Sequence, residues 1–392
     1  MPSAAPLKRI ARRIPVVRGV ASDVLELYRT VGRQVRAVRD GVKVSMDTEQ
    51  ARLYGRTVEG RGLVKAAVDN VVWTYRHGKP NALYYVCAMD EKAGDEYADF
   101  LSYHEMWHLI DRQIEEDKTG QIVAVLKNKY LFSLVAQALG HRSPRALALL
   151  RPDGVDALDP RRSVSYAEFV AGSGPADAFA KPVGGMKGKG AFALRIEDGR
   201  TWIDDEPATA AEVAGRVTGR YLLQERLVQH PALEVLHPSS VNTIRLVTVY
   251  RDGGVRPFVA ALRVGTGGAT VDNWSAGGLV VGLDLDTGRL YGRGIFKPGC
   301  GGDVRYGGFV DRHPDSGLDF DGYQLPDIPE AVELACRLHL DLGGPRTVGW
   351  DLAITPNGPS IVEGNSHWSG AMYMAIDGGF KKRYFEAAGI GE

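Results

Sequence analysis

Trp350-Asp351-Leu352-Ala353-Ile354-Thr355-Pro356-Asn357-Gly358-Pro359-Ser360-Ile361-Val362-Glu363-Gly364-Asn365 is the stretch that decides the fold. Apolar-rich runs flank a Pro-Asn-Gly-Pro cluster, the pattern of two antiparallel strands and a turn. Centring the hairpin on Asn357 sets Asp351 opposite Glu363. Side chains alternate along a strand, so Glu363 and Asn365 share the face of Asp351. Directly opposed Cβ atoms lie about 4.5–5.5 Å apart, and like charges there repel. Something positive is therefore expected between them. Two carboxylates and an amide oxygen are hard oxygen ligands, suited to Mg²⁺ with nucleotide phosphates completing its shell. An exposed hairpin with ordinary surface acids is the alternative for an isolated pair.

The chain has 392 residues, enough for a large core and two or three lobes. Lys and Arg number 48, as do Asp and Glu, so no whole-protein field for nucleic acid or membrane is expected. Cys87, Cys300 and Cys336 have no paired spacing, which argues against a zinc ribbon or disulfide framework and fits a reducing, cytoplasmic compartment. No apolar run approaches transmembrane length. No hydrophobic stretch follows the charged N-terminus, so a secretory signal is not expected. Residues 1–45 carry Lys8, Arg9, Arg12, Arg13, Arg18, Arg29, Arg33, Arg36, Arg39 and Lys43 against Asp23, Glu26 and Asp40. Val24, Leu27, Tyr28, Val31, Val35 and Val38 have helical spacing there. The stretch reads as a solvated helix on its own domain, or as a peripheral contact to an anionic surface through residues 8–43.

Helical periodicity runs through 20–40, 63–76 and 95–118. A helix over 128–140 ends at Gly140, and another spans about 327–341. Short strands and Gly-rich turns dominate 178–312. This mixture reads as α+β. Phe179 to Leu194 is a strand, a basic glycine loop (184–190) and a second strand. Its glycines let backbone approach a phosphate, and Lys181 ends the first strand. It is neither a P-loop, since no helix follows, nor a dinucleotide fingerprint. Arg220 to Val228 is a mixed strand able to line an adenine slot or to lie over the core.

His104-Glu105-Met106-Trp107-His108 matches the zinc-protease pattern H-E-x-x-H on a helix. A catalytic zinc needs a third protein ligand. No histidine follows at the extended spacing, and Glu115 and Glu116 fall too close. A zinc hydrolase is thus a remote alternative, and His104 and His108 are expected to be helix residues.

A lysine on a strand, a glycine loop, a Gln-Glu strand and a late Asp…Glu-x-Asn, in that order, resemble the ATP-grasp superfamily. Lys129 in Asn-Lys-Tyr-Leu is similar to its first ATP-contacting lysine. Val228-Gln229-His230-Pro231, Pro238-Ser239-Ser240-Val241-Asn242-Thr243-Ile244-Arg245, Asp272-Asn273-Trp274-Ser275-Ala276-Gly277-Gly278 and Gly349-Trp350-Asp351 resemble the sugar-transfer-associated, glutamate-ligase-related branch over roughly 95–375. The resemblance implies an ATP-grasp fold of two α+β lobes clasping ATP. The first lobe, with the lid, is 126–228 and the second, with the metal site, is 229–392; a mainly helical N-terminal region, 1–125, precedes them. It implies that Lys129 and Lys181 hold the phosphates, and that Gly184, Gly185, Lys187 and Gly188 belong to a lid. Gln224, Glu225, Arg226 and Leu227 would lie at the adenine. Asp351, Glu363 and Asn365 would hold Mg²⁺ or Mn²⁺. Arg245, Arg263 and Asn273 would attend the substrate and the transferred phosphate. The ribose position departs from the family: Glu234 is the nearest acid, in a stretch made irregular by His230 and Pro231.

The expected activity is a carboxylate–amine ligase acting through an acyl phosphate on a sugar acid or amino acid. A kinase for a small alcohol would use the same metal site, with His367 as its base. A nucleotide-binding module without turnover is a weaker reading. The expected partners are ATP and small carboxylate and amine substrates, with no nucleic acid.

Overall fold

The computed structural model describes residues 32, 35, 38–43, 47–56, 61–92, 94–185, 188–298 and 308–391. Most of the basic segment 8–43 and most of the helix expected over 20–40, together with Lys187 and Cys300, lie outside the described residues. The chain divides into two units, 1–93 and 94–392.

In the first unit, α1 (Thr48–Leu53) precedes α2 (Arg61–His77). Ala66, Asn70, Trp73 and Thr74 of α2 are buried, the three-and-four spacing of one helix face. The buried Asn70 amide is satisfied: it donates to Ala66 O and accepts from Asn81 N.

After a short helical turn at Gly94–Ala98, the second unit continues with α3 (Tyr103–Glu116), α4 (Gly120–Lys127) and α5 (Lys129–Ala138). Asn128 caps α5, accepting from Leu131 N at 3.1 Å. Gly140 follows with φ +79°, the left-handed exit that its sequence position implies.

One sheet contains β1 (Ala146–Arg151), β2 (Gly154–Leu158), β3 (Arg161–Val164), β4 (Ala176–Pro182), β5 (Phe192–Glu197), β6 (Arg200–Ile203), β7 (Glu206–Ala208) and β8 (Tyr221–Glu225). Their order is β3-β2-β1-β8-β4-β5-β6-β7, all antiparallel. Alternate residues such as Ala148, Leu150, Ala178, Ala180, Leu194 and Leu223 form its core. The strand expected over 220–228 ends at Glu225. There Glu225 N and Arg226 N turn to the carbonyls of Arg145 and Asp177.

The other sheet contains β9 (Thr243–Arg251), β10 (Gly254–Val264), β11 (Leu279–Leu283), β12 (Leu290–Phe296), β13 (Phe309–Val310), β14 (Thr347–Thr355) and β15 (Gly358–Asn365). Its order is β13-β12-β11-β10-β9-β14-β15, again antiparallel. α6 (Ile328–Leu342) packs on it. Ile244, Leu246, Leu262, Trp350, Leu352 and Ile354 join Ala331, Ala335, Leu338 and Leu342 in one core. Each large apolar side chain buried this way contributes about 1.5–3 kcal/mol. The intervening residues Arg245, Arg263 and Asp351 therefore point to the opposite face. The α+β class expected from the sequence is the class observed.

The decisive hairpin forms with a refinement. Thr355 pairs with Gly358, so Pro356 and Asn357 alone make the turn, and Gly358 has φ +96°. Left regular, that register would set Asp351 opposite Val362. A one-residue shift between Leu352 and Asp351 absorbs the extra residue as a bulge, and Asp351 pairs with Glu363 and Gly349 with Asn365.

Candidate active site

Adjacent strands bring the charges together. Arg245 on β9 pairs in register with Asp351 on β14, which pairs with Glu363 on β15. On β10, Arg263 pairs with Thr243, two residues before Arg245 and on its face. The positive groups expected at Asp351 are guanidinium groups. Arg245 meets both Asp351 oxygens, through Nε to Oδ1 and through Nη2 to Oδ2 at 2.9 Å. Arg263 Nη2 reaches Oδ2 at 3.1 Å. Arg263 also donates to Thr243 Oγ1 at 2.8 and 3.1 Å and meets Asp272 Oδ1 at 3.2 Å. Asp272 accepts from Thr243 N at 2.9 Å and from the Thr243 hydroxyl.

Asp351, Asp272 and Arg263 are buried, and burial disfavours the charged form of each. Burial opposes ionisation of Asp351, yet Arg245 and Arg263 hold its carboxyl below the usual range. Burial likewise works against the Arg263 charge, which Asp272 and Asp351 sustain and raise. For Asp272 burial wins and its carboxyl is pushed up, against the pull of Arg263 and Thr243. Tyr373, on α7 (Ala371–Asp377), closes one side: its hydroxyl donates to Arg245 O at 3.0 Å, and burial raises it.

Lys181 approaches from the other sheet and Lys129 from the start of α5. Lys129 N donates to Val183 O at 3.1 Å, fixing the start of α5 against the turn after β4. Its Nζ donates to Gly185 O at 2.6 Å and lies 3.4 Å from Glu363 Oε2. Lys181, in β4, is buried. Burial pushes its ammonium down to about 8, opposed by Glu363 and reinforced by Lys129. Glu363 is thus paired with Lys129 and eases the charging of Lys181, and Asn365 Nδ2 lies 3.4 Å from Glu363 Oε1. Of the loop's glycines, Gly184, Gly185, Gly188 and Gly190 are described. Gly188 has φ +68°, and a Cβ there would meet Val271 at 3.1 Å, beside Asp272.

Other anticipated residues are engaged elsewhere. Gln224 Nε2 donates to Ser133 Oγ at 2.9 Å and Pro144 O at 3.2 Å in the interior, rather than toward open solvent. Glu225 is exposed and bound by Arg145 at 2.8 Å. Arg226 lies 3.6 Å from Asp177, and Leu227 is half-buried. Asn273 Oδ1 accepts from Ser275 N at 2.8 Å, capping its own turn, while its neighbour Asp272 enters the charge network. His367 bonds Asp111 Oδ1 at 2.8 Å and Ser366 Oγ at 3.0 Å. Asp272, Thr243, Tyr373 and Asp111 were not singled out by the sequence reading. The only cue was that Asp272 stands beside Asn273.

In the H-E-x-x-H stretch, Glu105 is the third residue of α3. Its carboxylate accepts from Ser102 N at 2.8 Å while Ser102 Oγ accepts from Glu105 N at 3.2 Å, a capping box. His108 is exposed. Among the described residues, no three His, Cys, Asp or Glu side chains group to hold a metal. Asp351 and Glu363 supply two carboxylates paired across β14 and β15, and Asn365 lies beside Glu363. That oxygen-donor set fits Mg²⁺ with phosphate oxygens for the remainder, provided Asp351 yields an oxygen now held by arginine.

Residues 112–387 match the sugar-transfer associated ATP-grasp family. His104 to His108 fall outside that span. Solved structures of similar fold include D-alanyl-alanine synthetase A from Vibrio cholerae, at 12% identity and TM-score 0.37, covering 68% of this chain and 61% of that one. N5-carboxyaminoimidazole synthetase from Staphylococcus aureus matches at 10% identity and TM-score 0.37, covering 68% of this chain and 52% of that one. Biotin carboxylase from Campylobacter jejuni matches at 11% identity and TM-score 0.39, covering 69% and 47%. The chain spans less than two thirds of each of these proteins. No curated protein matches it.

Proposed function

The chain belongs to the sugar-transfer associated ATP-grasp family, and from that premise we propose that it is an ATP- and Mg²⁺-dependent carboxylate–amine ligase. The observation that carries this reading is Lys129 Nζ 3.4 Å from Glu363, with the buried Lys181 under the influence of the same carboxylate, next to Asp351 and its two arginines. Cations fixed on two sheets suit a polyphosphate. In this reading the lysines bind the phosphates, the loop 184–190 closes over them, and the backbone of 224–227 meets the adenine. Asp351, Glu363 and Asn365 hold Mg²⁺, or Mn²⁺ in its place, which neutralises charge on the triphosphate oxygens. Arg245 orients the substrate carboxylate, Arg263 supports the site from behind, and Asn273 lies at its edge.

The γ-phosphoryl group passes to a carboxylate oxygen with release of ADP. An amine then attacks the acyl carbon, inorganic phosphate leaves, and the ammonium proton is lost to solvent. The closed lid keeps water from the acyl phosphate. The family's description motivates a sugar acid or an amino acid as the acid. Dependence on ATP and the wide spacing of Cys87, Cys300 and Cys336 along the chain support a cytoplasmic setting. No helix among the described residues is long and apolar enough to cross a membrane.

The test is a panel of carboxylates with ATP and hydroxylamine, scored by ADP release and hydroxamate. The expected product is a hydroxamate, with Glu363→Gln lowering ADP release by at least about a hundredfold. Unchanged Mg²⁺-dependent turnover in Glu363→Gln overturns the site. A second reading, phosphoryl transfer to an alcohol, has one observation in its favour: His367, two residues after Asn365, forms an imidazole–carboxylate pair with Asp111 at 2.8 Å. A phosphorylated alcohol without hydroxamate, and dependent on His367, establishes it instead.

A further inference from the structure

Arg245 and Arg263 both hold Asp351, but they are held differently themselves. Arg263 is tied to Thr243 and Asp272 as well as to Asp351. The Arg245 guanidinium has Asp351 as its one hydrogen-bonding partner among the described residues. Its backbone is fixed in β9 between β10 and β14, and its carbonyl accepts from Tyr373.

Resting on the ligase reading, we infer that Arg245 is an acid-substrate clamp held in reserve on Asp351 and released when Mg²⁺–nucleotide binds. Both Asp351 oxygens are occupied by arginine in the structure described. A cation shared by Asp351, Glu363 and Asn365 claims one of them and repels both guanidinium groups. Arg263 keeps Asp272 and Thr243 and stays. Arg245 has nothing else to hold, so its planar fork becomes available to an anion. A small carboxylate suits that fork bidentately. The acid is therefore bound well only after nucleotide. Asp272 is a positioning residue: by anchoring Arg263 it decides which arginine leaves.

The arginine Nε–H signals of the full-length, ¹⁵N-arginine-labelled protein report this directly. Arg245→Lys assigns the first signal, and through-bond assignment replaces it if that variant does not fold. The probe is Mg²⁺ with a non-hydrolysable ATP analogue; the control is the same analogue with EDTA. The Arg245 signal is expected to shift and to exchange with solvent about tenfold faster with Mg²⁺ only, matching the loss of one charge-assisted hydrogen bond. The Arg263 signal is expected to stay. In Asp272→Asn both signals move. Calorimetric binding of the analogue with Arg245 unmoved, or with both arginines moving in the unaltered protein, overturns the inference alone. Absence of analogue binding overturns the ligase reading, and this inference with it.

Discussion

Two stretches of this chain set ionisable residues at telling intervals, and only one assembles them. His104 to His108 has the spacing of a metal site on one helix face, yet Glu105 is committed to the cap at Ser102 and His108 faces solvent. Asp351 and Glu363 lie twelve positions apart, and pairing of β14 with β15 brings them face to face. The lesson is that spacing along one element states what can meet, whereas a charged cluster is made by the neighbours it must have to be buried. Asp351 is 3% exposed and two arginines attend it. The histidines of α3 have no such company.

The sharpest test of that contrast is Asp351→Asn. Repulsion across the hairpin alone would make the change harmless to folding. With the Arg245 guanidinium left without a partner, and Arg263 left with Asp272 as its one carboxylate, among the described residues, we expect a loss of about 3–5 kcal/mol in urea denaturation. Glu363→Gln, whose lysine partner is partly exposed, is expected to cost at most about 1 kcal/mol. Equal effects would erase the distinction between an assembled network and a facing pair.

Lys181 gives a second, smaller effect. Its ammonium is pushed down to about 8 in the folded protein, from an ordinary lysine value of 10.5. The native state therefore binds fewer protons between those values, and the contribution of Lys181 to stability rises with pH through that window. Nucleotide affinity has the opposite sign, because phosphate needs the charged form. It is expected to fall by up to about tenfold per unit above pH 8. Calorimetric titration from pH 7 to 9.5 checks this, and a flat profile would remove Lys181 from the phosphate site.

The α3 variants anchor the low end. Glu105→Ala is expected to cost about 1 kcal/mol through the lost cap. Replacing His104 and His108 together by Ala is expected to stay within about 0.5 kcal/mol and to keep ATP turnover within a few-fold. Stoichiometric zinc that disappears in the double variant would make α3 the chemical stretch after all.

Much of this was legible because it is local. Alternation in 350–365 gives the hairpin and the shared face, Asn128 and Gly140 bracket α5, and glycines mark the loop after Lys181. The partners of Asp351 were not legible. Arg245 stands 106 residues away and meets it because β9 pairs with β14, an ordering no local pattern encodes. Asp272 was hidden for the same reason: its role exists only once Arg263 is buried beside it. Gln224 shows the converse, a polar residue that a chain-order motif assigns to ligand and that the fold spends on Ser133 and Pro144.

The bulge at Val362 has a consequence for how this hairpin can change over generations. The tip follows a two-residue turn, whereas the carboxylate end is aligned as if the turn had one residue more. The strand thus carries a spare residue. Losing one position between Pro359 and Val362 straightens the bulge and still leaves the glutamate across from Asp351. Gaining one has no such reservoir and carries the glutamate and Asn365 out of line. Lineages of this fold are accordingly expected to drift toward deletions here and to purge insertions.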